Sequence, residues 1–140
     1  QEIVFNIDEW SKIISDASAV IYQFPFYWMS APSLLKKWQD EVFTFLSKTP
    51  AVAGKPLTVV TTTGSEYEAY RSGGRNRFTT DELLRPYQVN AIHSGMSWQT
   101  PIVVYGMGTA DAGKNIAEGA NLYKQRVEML IGNSNAGNNW

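Results

Sequence analysis

The stretch SAVIYQFPFYWMSAP, residues 18–32, decides how this chain folds. Its first part, Ser18–Phe24, is a nearly continuous run of apolar and β-branched residues, which predicts a strand buried on both faces. Residues 23–32 then carry four aromatic residues and two prolines. Because proline fixes the backbone and removes a hydrogen-bond donor, this segment is expected to be a stiff turn that follows the strand directly.

The same succession of elements occurs twice more. PLTVVTT, residues 56–62, and PIVVYG, residues 101–106, are expected to be further buried strands, and each connection can hold a helix. Strands that alternate with helices predict an α/β fold, an open parallel sheet with helices on both faces. Only three strands are convincing, whereas sheets usually have about four to six, so an apolar edge would be left open. Either the chain lacks a piece, or a partner covers that edge.

Capping residues and apolar periodicity place the helices. Asp8 is the expected N-cap of the first. Thr79, or Thr80, is expected to cap the third, with Glu82 three residues after Thr79 as in a capping box. The last helix is expected from about Lys114 to Ile131. The apolar residues expected to face the core are, helix by helix, Trp10, Ile13, Ile14 and Ala17; Leu34, Leu35, Trp38, Val42, Phe45 and Leu46; Leu83, Leu84, Tyr87 and Ala91; and Ile116, Ala120, Tyr123, Val127 and Leu130.

Composition excludes several classes of function. The chain has 140 residues, 44% of them hydrophobic, and a net charge of −1, which gives no electrostatic case for binding nucleic acid or an anionic membrane. It has no cysteine, so disulfides, zinc–thiolate sites and cysteine nucleophiles are ruled out. No apolar run approaches the length of a membrane span. We expect one domain, residues 1–132, and a polar tail, residues 133–140.

Ligands of open parallel sheets bind beyond the carboxyl ends of the strands. Three loops are expected at that edge: Pro25–Ala31, Thr63–Phe78 and Gly106–Gly113. The aromatic turn in the first loop is either a lid on the core or a shelf for a flat ligand, and the pattern does not separate the two. In the second loop, TTTGSEY at residues 61–67 has small hydroxyl residues and a glycine that let a ligand approach closely, although an ordinary strand-to-loop junction has the same composition.

Other candidate sites are weaker. GMGTADAG, residues 106–113, lacks the glycine spacing of a dinucleotide fingerprint and is interpreted as a plain loop. His93, the only histidine, is expected to be structural or at the surface. Arg71, Arg75 and Arg77 either hold a nucleotide phosphate or form a solvated loop face.

Residues 23–43, QFPFYWMSAPSLLKKWQDEVF, resemble the flavodoxin-like NAD(P)H:quinone oxidoreductases of the modulator of drug activity B and potassium-efflux ancillary type. VVTTTG and NRFTTDELLRPYQVNAIHSGM, residues 59–64 and 76–96, are similar to two later segments of that family. The residues that match the first motif are Gln23, Pro25, Tyr27, Trp28, Pro32, Leu34, Leu35, Lys36, Trp38 and Asp40.

The resemblance implies a flavodoxin-like domain that binds FMN or FAD, takes hydride from NAD(P)H and passes it to a quinone. It implies that the flavin ring rests on Pro25, Phe26, Tyr27, Trp28 and Met29, and that Thr62, Thr63 and Gly64 contact its pyrimidine side. Tyr70 stands where relatives carry a tyrosine that steadies the reduced flavin. The family resemblance also implies a cytoplasmic homodimer that is not inserted in a membrane.

Relative to this family, the chain is expected to be N-terminally incomplete, lacking the first strand and the phosphate-binding loop. The segment after the second helix is shorter than in relatives and lacks their aromatic quinone-pocket loop. Two alternatives therefore stay open: an ancillary subunit that binds a partner such as a membrane antiporter, and a degenerate domain without a cofactor.

Overall fold

The computed structural model describes residues 2–135. Its α-helices are α1 Ile7–Asp16, α2 Ser33–Trp38, α3 Thr44–Leu46, α4 Thr80–Leu83, α5 Arg85–His93 and α6 Ala112–Asn135. Its strands are β1 Val20–Pro25, β2 Pro56–Thr62, β3 Ser97–Trp98 and β4 Ile102–Val104. A π-helical segment, Gln39–Phe43, joins α2 to α3, and a 3-10 turn covers Tyr67–Tyr70.

The sheet is parallel throughout and is built around β2. β1 pairs with one edge of β2, while β3 and β4 follow each other along the other edge. Helices α1, α2 and α5 pack on one face of the sheet and α6 packs on the other. The predicted fold class, an open parallel sheet with helices on both faces, is confirmed. The short β3 was not expected.

The expectation that β1 is buried on both faces is wrong. Its residues alternate, with Val20, Tyr22 and Phe24 buried and Gln23 exposed, whereas the interior residues of β2 are all buried. The reason is position: within residues 2–135, β1 pairs only with β2 and forms an edge of the sheet. An edge strand keeps one side half-solvated.

Two helix starts test the capping predictions. Thr79 caps α4 as expected, and the capping box with Glu82 is complete. The N-cap of α1 is Asn6 and not Asp8, because the Asn6 side chain accepts hydrogen bonds from the amides of Asp8 and Glu9. The third helix is also not continuous, since Pro86 at the start of α5 separates it from α4.

The π-helical segment changes which aromatic residue faces the core. Phe43 is buried and stacks on Trp38 at 6.0 Å between ring centroids, whereas Phe45, expected inside, is 56% exposed. The i→i+5 hydrogen bonding of a π-helix gives a wider turn than an α-helix, so the segment places residues 38 and 43 on one side. Regular α-helical periodicity therefore selected the wrong residue. Leu34 and Ile13, also expected inside, are 48% exposed.

The buried line of α6 also differs from the expected one. Ile116 is 52% exposed and Ala120 is exposed, while Gly119 is buried against Val104 of β4. Tyr123 and Leu130 face inward as predicted. Glycine carries no hydrophobic signal, so the sequence pattern could not show that the helix approaches the sheet there. Helix α6 runs to Asn135, into the expected tail, and the last five residues of that tail lie outside the described residues.

No helix within residues 2–135 is long and apolar enough to span a membrane. The same part of the chain contains no group of three or more histidine, aspartate or glutamate residues that could hold a metal ion.

The contact of α6 with the sheet predicts the effect of two matched substitutions. A Cβ atom at Gly119 would lie 2.3 Å from Cγ2 and 3.3 Å from Cβ of Val104. Because a valine side chain is stiff, Gly119→Ala is expected to lower the free energy of unfolding by about 1–2 kcal/mol. Gly113→Ala, in the same helix with no atom within 4 Å, should raise it by at most about 1 kcal/mol. Urea unfolding of both variants measures this, and equal effects would contradict the close approach.

Candidate functional site

The register of the sheet brings three strand ends together. Pro25 pairs with Thr62, and Thr62 pairs with Val104. The carboxyl ends of β1, β2 and β4 therefore lie side by side, and the loops that follow them share one edge of the sheet. This edge holds the residues predicted to bind the cofactor.

The segment after β1 is a tight hairpin turn. Tyr27 and Ser30 exchange two backbone hydrogen bonds, 2.9 and 3.1 Å long, around Trp28 and Met29. These two central residues have φ angles of 50° and 62°. A turn with positive φ at both central positions normally takes asparagine and glycine, so bulky residues here are unusual.

This turn is strained and held from both sides. A non-glycine residue in the left-handed region costs about 1–2 kcal/mol. On the strand side, the Phe26 amide donates to the Thr62 carbonyl at 2.9 Å. On the other side, the Tyr87 hydroxyl of α5 accepts from the Ala31 amide at 3.1 Å and lies 3.3 Å from Ser30 Oγ. Backbone strain maintained in this way is typical of ligand sites.

The aromatic segment divides into a buried and an exposed part. Phe24 is buried, and the half-buried Phe26 stacks on it at 6.3 Å. Tyr27 is 60% exposed and Trp28 is 97% exposed. The core-lid interpretation therefore holds for the phenylalanines, whereas Tyr27, Trp28 and Met29 stand outside the core. That this exposed part binds a flat ligand stays a prediction. We call residues 25–29 the shelf.

The loops after β2 and β4 form one unit. The amides of Gly106, Met107 and Gly108 donate to the carbonyls of Ser65, Thr63 and Gly64 at 2.8, 2.9 and 2.8 Å. Thr63 is buried, and its hydroxyl donates to the Ser65 carbonyl at 2.8 Å. Thr63 therefore supports the loop with its side chain, while Thr62 beside it is half-buried.

Four backbone donors remain uncommitted at this edge. The amides of Trp28, Met29, Gly64 and Ser65 make no hydrogen bond within the described part of the chain. A Cβ atom at Gly64 would meet nothing within 4 Å, so there is open space next to this loop. Amide donors beside open space and an exposed ring suit a flat ligand with carbonyl or ring-nitrogen acceptors.

Tyr70 reaches the shelf from the 3-10 turn. It is buried, and its ring lies edge-on to Phe26 at 6.2 Å and tilted to Tyr105 at 5.9 Å. The structure thus brings the predicted catalytic tyrosine into contact with a shelf residue. Its chemical role stays a prediction.

A charged clamp that the sequence analysis missed closes the loop around Tyr70. The Arg75 guanidinium donates to Glu66 Oε1 at 2.6 Å and to Ser65 Oγ at 2.7 Å. The pKa of Glu66 lies below its ordinary value because its own backbone amide and Arg75 stabilise the carboxylate. Of the arginines considered for a phosphate site, Arg75 forms this ion pair. Arg71 instead lies over the Tyr67 ring, with 5.3 Å between Cζ and the ring centroid.

The clamp joins residues nine apart, which no helix or strand period predicts. The only sequence signal is the length of the loop, which suggested a function without indicating its contacts. His93 is exposed at the end of α5, as expected.

Comparison with known families identifies the fold. A family model described as "Flavodoxin-like fold" matches residues 2–127. The chain belongs to this family.

Two relatives are similar to this chain over most of its length. General stress protein 14 of Bacillus subtilis is 38% identical over 128 residues, which cover 89% of this chain and 73% of the relative. The potassium-efflux ancillary protein KefG of Cronobacter sakazakii is 35% identical over 74% of this chain. The chain spans 59% of the length of that KefG.

Two solved structures share the flavodoxin-like architecture. General stress protein 14 from Treponema denticola, solved in complex with FMN, superposes with a TM-score of 0.80 at 27% identity, over 90% of this chain and 74% of that one. An NADPH-quinone reductase from P. pentosaceus gives a TM-score of 0.70 at 27% identity, over 97% of this chain and 76% of that one.

The strained turn predicts a substitution that increases stability. Met29→Gly removes the penalty of a positive φ and is expected to raise the free energy of unfolding by about 1 kcal/mol. Met29→Ala is the control, because it removes the same side chain but keeps the penalty. Thermal unfolding of the two variants measures the difference, and a Met29→Gly variant no more stable than Met29→Ala would exclude strain at this turn.

Proposed function

We propose that this chain forms the flavin-binding part of an NAD(P)H:quinone oxidoreductase and that its cofactor is FMN. The observation that carries the proposal is the strained, exposed turn at Trp28 and Met29, which stands at the carboxyl edge of the sheet beside the open space at Gly64. The FMN complex of the Treponema relative and the name of the NADPH-quinone reductase from P. pentosaceus support the cofactor and the reaction class.

The residues at the edge fit a flavin ring. The shelf offers an exposed indole and a half-buried phenyl ring for one side of a flat heterocycle. The uncommitted amides of Trp28, Met29, Gly64 and Ser65 can donate to its carbonyl oxygens and ring nitrogens. Flavin, when bound, supplies the hydride chemistry that links NAD(P)H to a quinone.

Tyr70 is proposed as the residue that stabilises the reduced cofactor through its hydroxyl group. Its contact with Phe26 keeps its ring next to the shelf, and the Arg75–Glu66 clamp holds the loop that carries it. A hydrogen bond to the charged form of a group favours that form, so the hydroxyl would lower the energy of a reduced, anionic ring.

The proposal includes a cytoplasmic homodimer. The support for a dimer is the exposure of the apolar side chains Tyr27, Trp28 and Met29 of the shelf, since a second subunit can cover such a surface. The lack of cysteine is compatible with a reducing compartment.

A second candidate function is that of an ancillary subunit whose main output is binding a membrane antiporter. The similarity to KefG favours it, as does the short segment between α3 and β2. Both functions are compatible with a bound flavin, so turnover and not cofactor binding separates them.

Flavin binding tests the main proposal. The protein is expected to take up FMN with quenching of the flavin fluorescence. Trp28→Ala removes one aromatic contact and should raise Kd by about two- to tenfold while the fold is kept. Phe45→Ala is the matched control, because Phe45 is an exposed aromatic residue on α3, away from the site. Failure of the protein to bind FMN would reject the proposed function. A Trp28→Ala variant that does not fold would contradict the exposure of this ring.

Steady-state quinone reduction with NADH or NADPH tests the reaction. We expect Tyr70→Phe to lower kcat by about tenfold, the effect of one hydrogen bond to a charged group, with FMN affinity unchanged. Tyr123→Phe, at a residue on the sheet-facing side of α6, serves as the control. Tight FMN binding without quinone turnover, together with co-purification with an antiporter, would decide for the ancillary subunit.

A further inference from the structure

A cavity of about 760 Å³ lies between α6 and the loop that follows β2. Small-molecule sites usually measure about 300–1,000 Å³. Among the residues predicted for the flavin site, only Tyr70 lines this cavity, and no shelf residue does. The cavity therefore lies beside the proposed flavin site and shares only Tyr70 with it.

One wall of the cavity is aromatic and polar. Tyr67 lies edge-on to Tyr105 at 5.3 Å between ring centroids. The Tyr105 hydroxyl lies 2.6 Å from Thr80 Oγ1. Burial raises the pKa of Tyr105, so its hydroxyl stays a neutral hydrogen-bonding group at physiological pH. This wall can pack against an aromatic ring and hydrogen-bond a polar substituent.

The opposite wall is apolar. It is formed by Ile102 of β4 and by Leu122 and Met129 of α6, while the neighbouring Val103 lines the cavity from the other face of the sheet. Leu122 is 53% exposed and Met129 is 46% exposed. An apolar ligand would bury the exposed surface of these two side chains, and the burial of apolar surface would contribute favourable binding free energy.

The charges around the cavity do not balance. Arg71 and Arg126 line it, and Asp81 is the one carboxylate among its lining residues. Neither arginine forms an ion pair within residues 2–135: Arg71 lies over the Tyr67 ring, and Arg126 donates to the Thr100 carbonyl. The site therefore carries a net positive charge, with guanidinium donors that no carboxylate in the described part of the chain uses.

The geometry points to a binding site for a small aromatic carboxylate in this cavity. The ring lies between the Tyr67–Tyr105 wall and the apolar residues of α6, and the carboxylate faces the guanidinium groups. This site does not depend on the proposed flavin chemistry. Its link to the shelf is Tyr70, whose ring contacts both Phe26 and Tyr105.

The test uses 1-naphthoate as the probe and isothermal titration of the protein. We expect saturable binding at one site per chain. 1-Naphthylmethylamine, which has the same ring system and the opposite charge, should bind at least about tenfold more weakly, the effect of one charge-assisted hydrogen bond. Equal binding of the two probes, or no saturable binding of either, would overturn the proposal, and the latter result would leave an extended peptide along the open edge of β4 as the better occupant.

Two variants locate the probe. Arg71 is exposed, so Arg71→Gln should keep the fold. It should raise Kd for 1-naphthoate by about tenfold. Arg85→Gln, an exposed arginine that does not line the cavity, should leave Kd unchanged. An unchanged Kd for Arg71→Gln would place the probe elsewhere and reject the site.

The last measurement is the titration with 1-naphthoate in the presence of saturating FMN. It separates this inference from the proposed function. FMN should leave 1-naphthoate bound, because Tyr70 is the single residue that the two sites share and no shelf residue lines the cavity. Displacement by FMN would show that the cavity belongs to the flavin site and would overturn the inference. Binding of 1-naphthoate by a protein that binds no FMN would support the cavity and reject the oxidoreductase.

Discussion

The pairing of β2 along both of its edges is the constraint on which the rest of the molecule depends. β1 and β4 each run parallel to β2, and both ladders include Thr62. A slip of one residue in either ladder would turn a buried face toward solvent, so the core fixes the register. The same register sets Pro25, Thr62 and Val104 in one line. The burial of a strand interior thus determines where the loops of the site meet.

Much of this arrangement could be predicted because it rests on continuous apolar runs. β2 covers the expected residues 56–62, since a strand buried on both faces has no alternation to misplace. The capping box at Thr79 is local and was found for that reason. The position of the aromatic turn at the functional edge followed from the topology alone. The separation of Phe24 from Trp28 did not, because aromatic composition is the same for a core lid and a shelf.

The incorrect predictions of core residues and the missed ion pair share one physical origin. Each depends on a hydrogen bond or a close contact between elements that the pattern of apolar residues does not show. The π-helical segment buries Phe43 in place of Phe45. At Gly119, α6 contacts the sheet through a glycine, which has no apolar side chain to reveal that contact in the sequence. The Arg75–Glu66 clamp connects positions with no periodic relation. Such features depend on neighbours in space, which a single sequence does not provide.

The hydrogen bonds between the loops after β2 and β4 have a mechanical consequence. Because the amides of Gly106, Met107 and Gly108 are all used to hold residues 63–65, they cannot cradle a phosphate, despite the glycine-rich composition of their loop. This loop instead acts as a brace that sets the height of Gly64 above the sheet. A change at Met107 would therefore be felt at the ligand edge without any contact with the ligand. The amides of residues 106–108 thus stiffen the neighbouring loop, residues 63–65. Slow hydrogen exchange of these three amides would be the signature of that role.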